Sequence, residues 1–169
     1  MEMGDLVVAD IGAEYGGYSA DITRTYPVSG KFTKRQREIY RIVLDAQKAA
    51  LARVKPGATI AGHGPNSIHA AAREHIQSKG YGDYFIHGTS HHIGLEVHDV
   101  GPIGRPLEPN MVITVEPGIY IPDENIGIRL EDDVLVTETG YRILSNFPRE
   151  IDEIEALMKQ KRGEKAPNR

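Results

Sequence analysis

Apolar and polar residues follow two different periods along this chain, and each change of period marks a boundary between predicted strands and helices. Short apolar runs at 6–11 and 19–26 predict two strands. The segment 14–18 between them contains Gly16 and Gly17, which favour a turn. The chain is therefore expected to open with a β-hairpin.

Two stretches with apolar residues three to four positions apart predict amphipathic helices. The first begins after Thr33, which forms a capping-box pattern with Gln36, and it ends before Pro56. The second covers 66–79 and is followed by Gly80. The apolar stripe of the first helix consists of Ile39, Ile42, Val43, Ala46, Ala49, Ala50 and Val54.

Beyond residue 84 the period changes to two, which predicts a second group of strands. These strands are expected near 84–87, 91–98, 111–116, 126–137 and 141–145, followed by a short closing helix. Strands and helices do not alternate regularly, which argues against a doubly wound parallel sheet. The pattern predicts one α+β domain over 1–158, an antiparallel sheet with helices on one face, and a charged, frayed tail over 159–169.

Composition narrows the classes of function. The chain has 169 residues, 20 basic and 24 acidic side chains, a net charge of −4 and no cysteine. The lack of cysteine excludes disulfides, a thiol nucleophile and a thiolate metal site. The basic residues do not form the clustered positive face that is typical of nucleic-acid binders. No apolar run reaches the roughly 18–20 residues of a membrane span. Without a signal-peptide pattern, the chain is expected to be soluble and cytoplasmic, with no nucleic-acid or membrane partner.

Two aspartates are predicted to lie side by side in the hairpin. If the turn is centred between Tyr15 and Gly16, Asp10 lies directly opposite Asp21, with Cβ atoms about 4.5–5.5 Å apart. Paired carboxylates repel, and a fold tolerates them where a cation lies between them or where they share a proton. The alternative is a shifted register that leaves both exposed.

Candidate imidazoles are concentrated in the segment 87–99, which holds four of the seven histidines. Imidazole is the commonest metal ligand and carries protons near neutral pH. His91 and His92 are adjacent in an extended segment, so their side chains should point to opposite faces. The pattern favours functional roles for His87, His91 and His98 and a structural role for His92.

Two glutamates complete the candidate set. Glu116 follows the apolar run 111–115 and precedes Pro117, and Glu131 shares one strand face with Arg129. A surface ion pair with Arg129 is the alternative for Glu131. The four carboxylates carry four negative charges, which two divalent ions would balance. Carboxylates with limited imidazole suit Mn²⁺, Zn²⁺, Co²⁺ or Fe²⁺.

Taken together, these residues resemble the five-ligand signature of the pita-bread metallopeptidases, which include methionine aminopeptidase, aminopeptidase P and prolidase. The motifs are the two aspartates eleven positions apart, the histidine segment 87–99, Val-Glu-Pro-Gly at 115–118 and Gly-Ile-Arg-Leu-Glu-Asp-Asp at 127–133. The Val-His-Asp ending of the histidine segment is similar to the proline-peptidase branch. The resemblance covers residues 4–147 and implies a pita-bread fold.

This resemblance implies a metal-dependent exopeptidase, an Xaa-Pro aminopeptidase or an Xaa-Pro dipeptidase. It would hydrolyse the bond before proline with a water activated by two divalent ions, Mn²⁺ being preferred. Asp10 would bind one ion, Asp21 and Glu131 would bridge both, and His91 and Glu116 would hold the other. Glu116 would also transfer the proton.

The resemblance assigns roles beyond the metal ligands. His87 and His98 would hydrogen-bond the substrate and the tetrahedral intermediate, and Arg129 would orient Asp10. The implied partner is a proline-containing peptide.

The chain departs from the family pattern in one respect. The family's catalytic domain is a pseudo-repeat, and only the strands of its first half can be matched here. The sequence thus resembles a C-terminal catalytic part with an incomplete first half, expected to form a homo-oligomer such as a dimer and to be weakly active or inactive. The alternatives are a non-catalytic peptide- or protein-binding module and a metal-free creatinase-like hydrolase. The complete ligand set favours the metallopeptidase.

Overall fold

The computed structural model describes residues 1–159, which contain three helices and nine short strands. The strands are β1 Leu6–Ile11, β2 Glu14–Tyr15, β3 Tyr18–Ser19, β4 Ile22–Pro27, β5 Val112–Val115, β6 Gly118–Ile121, β7 Ile126–Arg129, β8 Asp132–Val136 and β9 Tyr141–Ile143. The helices are α1 Lys34–Leu51, α2 Ile68–Ser78 and α3 Ile151–Lys159.

All the named strands pair antiparallel, as the sequence predicts. Strand β1 pairs with β4, β2 with β3, β6 with β7, and β8 lies between β5 and β9. The N-terminal hairpin and the C-terminal strands meet at β4, where the amide of Glu131 donates to the carbonyl oxygen of Thr23 at 3.0 Å. This contact brings the N-terminal hairpin against the C-terminal strands.

Helix α1 begins where its capping pattern predicts it, but it ends at Leu51, three residues before the last member of the predicted apolar stripe. The Thr33 hydroxyl accepts from the Gln36 amide at 3.2 Å, and the Thr33 amide donates to the Gln36 side chain at 2.9 Å. Such a cap stabilises a helix by about 1 kcal/mol. The stripe faces the core: Ile39, Ile42, Val43, Ala46, Ala50 and Val54 are buried, and Ala49 is half-buried.

The other two helices are also confirmed, with small differences at their ends. Helix α2 begins after Ser67, whose hydroxyl accepts from the Ala70 amide at 3.0 Å. Helix α3 includes Lys159, so the predicted boundary of the tail lies one residue too early. The rest of that tail, 160–169, lies outside the described residues. None of the helices within 1–159 has the length and apolar character that crossing a bilayer requires.

Two predicted strands are wrong. In place of a strand at 84–87, a short 3₁₀ helix, Gly82–Tyr84, is followed by irregular chain at 85–87. In place of a strand at 91–98 it makes only isolated bonds to β5, such as Thr114 N–H to His91 O at 2.9 Å, and then turns. The turn forms because the Asp99 carboxylate accepts from the Leu95 amide at 3.1 Å and replaces a partner strand.

The stretch 126–137, predicted as one strand, is divided into β7 and β8. Leu130 and Glu131 lie between them, outside both ladders. The partner of β7 is β6, which the sequence did not predict because Pro117 and Gly118 resemble a terminator there. Asn125 in the left-handed region, at φ 51°, closes the turn between the two strands.

Candidate metal centre

The register of the N-terminal hairpin differs from the predicted one. Asp10 lies opposite Thr23, not opposite Asp21. The reason is the turn: Gly16 and Gly17 both have positive φ, 61° and 83°, so they form a two-residue turn centred one position later than predicted. The two aspartates are therefore diagonal neighbours.

Asp21 nevertheless lines the same cleft as Asp10. The ladder between β1 and β4 ends at the pair Ile11 and Ile22, so Asp21 lies just outside it. Gly12 makes this possible, since a Cβ there would overlap the carbonyl group of Ala20. The Asp21 amide donates to Asp133 Oδ2 at 3.0 Å, which fixes its backbone outside any ladder. Asp10 lies close enough to Asp21 to help raise the pKa of its carboxyl group.

Glu131 enters the site from the gap between β7 and β8. Its side chain is 2% exposed, and the Thr23 hydroxyl donates to its Oε2 atom at 2.5 Å. Thr23 also accepts from the Arg129 guanidinium at 3.2 Å, so the hydroxyl hydrogen is directed to the glutamate. Glu131 is thereby held in one orientation, which argues against the alternative of a surface ion pair.

His91 presents an unprotonated nitrogen to the carboxylates. Its Nδ1 lies 3.0 Å from the carbonyl oxygen of His92, which can only accept, so Nδ1 carries the proton. Burial lowers the pKa of the ring, which keeps it neutral. Its Nε2 then faces Asp21 Oδ2 at 3.7 Å and Glu116 Oε1 at 3.6 Å with a lone pair. Lone pairs that face one another across such a gap fit a cation.

All five predicted ligands line one cleft of about 410 Å³. Asp21, His91 and Glu131 each offer a donor atom, and the three atoms lie within 4.8 Å of one another. Asp10 and Glu116 line the same cleft. Neutral imidazole with carboxylate oxygens is the donor set of a divalent transition metal. The residues present therefore fit the metal that the sequence predicts.

The pKa values of the carboxyl groups in the cleft also favour a bound cation. Burial, followed by repulsion from neighbouring carboxylates, raises the pKa of Asp21 to about 7. Burial is also the largest cause at Glu116, whose pKa rises to about 7, and at Glu131, whose pKa rises to about 8. Arg129 is the cation that opposes these shifts at Asp21 and Glu116. Without a bound cation these carboxylates are costly to ionise.

We expect the metal-free protein to lose stability as pH rises from 6.5 to 8.5. The folded-state pKa values of Asp21, Glu116 and Glu131 lie above the usual carboxylate range, so the folded state holds more protons in this window. His91 and His92 have lowered pKa values, so their unfolded imidazoles bind more protons near pH 6.5, and this opposite effect fades by about pH 7.5. Urea unfolding in EDTA at several pH values measures this, and a free energy of unfolding that rises across the window would contradict it.

A second set of side chains adjoins the carboxylates and includes a residue that the sequence did not single out. Arg129 donates to Asp10 Oδ2 and, at 2.9 Å, to the hydroxyl oxygen of Tyr120. The Tyr120 hydroxyl lies 2.9 Å from His87 Nε2, while His87 Nδ1 lies 2.7 Å from the Gly88 carbonyl oxygen. Since the carbonyl only accepts, Nδ1 carries the proton and Tyr120 donates to Nε2. No motif marked Tyr120, which lies on the unpredicted strand β6.

His98, for which a functional role was predicted, and His92, for which a structural role was predicted, lie on different sides of the chain. His98 is exposed, lines the cleft and packs edge-to-face on His91, with ring centroids 4.2 Å apart. His92 is buried and packs close to Gly101, outside the set of residues that line the cleft. The opposite orientations predicted for His91 and His92 are therefore observed.

Comparison with known proteins identifies the lineage of this centre. The family model described as metallopeptidase family M24 matches residues 1–138. The chain belongs to metallopeptidase family M24. Its membership agrees with the α+β pita-bread fold, and it places the chain with hydrolases that use divalent metals.

Relatives in the M24 family point to its proline-peptidase branch. The chain is 45% identical to an Xaa-Pro aminopeptidase of Escherichia coli over 94% of its own length, and 49% identical to an Xaa-Pro dipeptidase of Pyrococcus furiosus over 89%. A solved prolidase from P. furiosus superposes with a TM-score of 0.80, at 49% identity over 88% of this chain and 43% of that one. The chain spans 42% of the length of both curated relatives.

Proposed function

We propose that this chain carries the metal centre of an Xaa-Pro exopeptidase, which hydrolyses the peptide bond before proline with two divalent ions, Mn²⁺ being preferred. The observation that carries the proposal is the convergence of the five predicted donors in one cleft. The proline-peptidase relatives support the substrate class. The complete donor set favours this function over a binding module. The cytoplasmic location stays a prediction.

Two ions account for the charges of the cleft better than one. Five carboxylates line it, namely the four of the predicted ligand set and Glu14, and the Arg129 guanidinium bonds Asp10 on one side. His91 and Glu116 lie on the other side, with Asp21 next to both His91 and Asp10. Asp21 and Glu131, whose donor atoms lie within 4.8 Å of each other and of His91, would hold both ions.

The chain's own residues supply the rest of the chemistry. Bound divalent ions would contribute Lewis acidity and lower the pKa of water in the cleft. Glu116, whose Oε1 atom lies 3.6 Å from His91 Nε2, would accept a proton and return it to the leaving amine. His98 lines the cleft with an exposed side chain, which would contact a bound peptide. Arg129 holds Asp10 in place.

Two measurements on the 169-residue chain test this proposal. We expect two Mn²⁺ ions per chain by elemental analysis, and hydrolysis of Gly-Pro and of a longer Xaa-Pro peptide that EDTA abolishes. Turnover should be weak, because the Asp10 side chain is 47% exposed and the cleft is open to solvent. A chain without bound metal, or hydrolysis unaffected by EDTA, would contradict the proposal. Comparison of the two substrates assigns dipeptidase or aminopeptidase activity.

We also expect the isolated chain to associate with itself. In residues 1–159, β1 pairs with β4 alone, which leaves its outer edge free. Large apolar side chains surround the end of this hairpin: Ile11 is 66% exposed, Tyr15 91% and Tyr18 63%. Light scattering should show a dimer or larger species, and Tyr15→Ser with Tyr18→Ser should weaken it. A monodisperse wild-type monomer would be evidence against this expectation.

A further inference from the structure

Outside the cleft, the most extensively bonded side chain in the described structure is that of Arg24 on β4. It is 2% exposed, although arginine is almost never buried without a partner. All five of its N–H donors have acceptors. These acceptors are the carbonyl oxygens of Thr23, Glu131, Phe147 and Pro148 and the Oδ1 atom of Asp132.

Two of these bonds reach the backbone of the metal centre. Arg24 Nη1 donates to the carbonyl oxygen of Glu131 at 2.5 Å and to that of Thr23 at 2.9 Å. The Glu131 amide donates to the same Thr23 carbonyl at 3.0 Å. The amide of Glu131 is therefore bonded to Thr23, and its carbonyl oxygen is bonded to Arg24.

Glu131 needs such support because it lies in the gap between β7 and β8. In a strand, the ladder would fix its backbone. Here the Arg24 guanidinium, in place of a neighbouring strand, donates to the carbonyl oxygen of Glu131. The Thr23 hydroxyl then sets the position of the carboxylate, with Oε2 at 2.5 Å.

The guanidinium is itself fixed from the opposite side. Asp132, fully buried, accepts from Arg24 at 2.6 Å through Oδ1. Its Oδ2 accepts from Gln47 at 3.0 Å and from Arg149 at 2.8 Å. Arg24 thus joins the carboxylate of Asp132 to the main chain of the next-door residue, Glu131.

We propose that Arg24 is a positioning residue of the metal centre, which holds the Glu131 carboxylate in its ligating position through the main chain. This inference rests on the proposed metal-dependent function. It predicts that a change at Arg24 lowers metal affinity even where the protein stays folded. Residues that orient metal ligands typically change affinity by about 10–100-fold when they are mutated.

The test compares Arg24→Lys with Arg149→Lys. Both changes replace guanidinium by ammonium and weaken a bond to Asp132, but only Arg24 bonds the carbonyl of Glu131. Lysine has three donors and cannot occupy five acceptors. Urea unfolding in EDTA first measures the stability of each metal-free protein, and calorimetric titration with Mn²⁺ then measures affinity where each is folded.

We expect Arg24→Lys to weaken Mn²⁺ binding at least tenfold and Arg149→Lys to change it less than threefold. An affinity of Arg24→Lys within twofold of wild type, or equal losses in both variants, would overturn the inference. If Arg24→Lys does not fold, Asp132→Asn decides: weaker binding than in Arg149→Lys supports positioning, and unchanged binding refutes it. Wild-type protein that binds no Mn²⁺ would instead refute the proposed function.

Discussion

EDTA should lower the melting temperature of this protein by roughly 8–16 °C, and Mn²⁺ should restore it. A ligand present at a thousandfold excess over its dissociation constant stabilises the native state by about 4 kcal/mol. For a chain of this size, 1 kcal/mol corresponds to about 2–4 °C. The structural reason is the cleft itself, where Asp21, Glu116 and Glu131 are ionised with difficulty unless a cation is bound.

Differential scanning calorimetry at pH 8 measures this effect. Protein shown by elemental analysis to start metal-loaded is scanned before EDTA, after EDTA and after added Mn²⁺. Mg²⁺ is the matched control ion, since it retains its waters and prefers oxygen ligands over the His91 imidazole. A melting curve that EDTA leaves unchanged would count against the metal centre.

Glu131→Gln should weaken metal binding and should stabilise the metal-free protein. Affinity for Mn²⁺ should fall at least a hundredfold, about 3 kcal/mol, because a neutral amide replaces a carboxylate placed between the outer ligands. The metal-free variant should nevertheless be more stable than metal-free wild type at pH 8.5. Burial raises the pKa of Glu131 to about 8, so its ionised form costs folding energy that glutamine does not.

Glutamine keeps the shape of the side chain and can still accept from the Thr23 hydroxyl, so packing is preserved. The matched control is Glu138→Gln, which makes the same change at an exposed position. It should leave Mn²⁺ binding and the free energy of unfolding almost unchanged. A Glu131→Gln protein that binds Mn²⁺ like wild type would show that Glu131 is not a ligand, and a metal-free variant less stable than wild type would show that the ionised Glu131 carboxylate does not destabilise the fold.

The hairpin shows where sequence reasoning about this site reached its limit. The strand 6–11 was predicted with its observed bounds, because a short apolar run is a local signal. The register was wrong by two positions, since it depends on which of two neighbouring dipeptides occupies the turn. Asp10 and Asp21 still line one cleft, because the bond from the Asp21 amide to Asp133 fixes Asp21 just beyond the end of β4.

The C-terminal strands show a different limit. The residue types of Arg129 and Glu131 are clear in sequence, but their placement depends on the break between β7 and β8. Nothing local marks this break. At the break, the Glu131 carbonyl accepts from Arg24, which lies more than a hundred residues earlier in the chain.

The sequence by itself determined the antiparallel α+β class, the capped helix α1 and the identity of the five candidate ligands. These features depend on short-range periodicity, capping and motifs, all of which lie within a few residues of one another. Only the tertiary structure decided the diagonal placement of Asp10 and Asp21, the turn after His91, the contact of Tyr120 with His87 and the support of Glu131 by Arg24. These features are hydrogen bonds between distant segments, and their geometry exists only once α1 and the strands have packed around a common core.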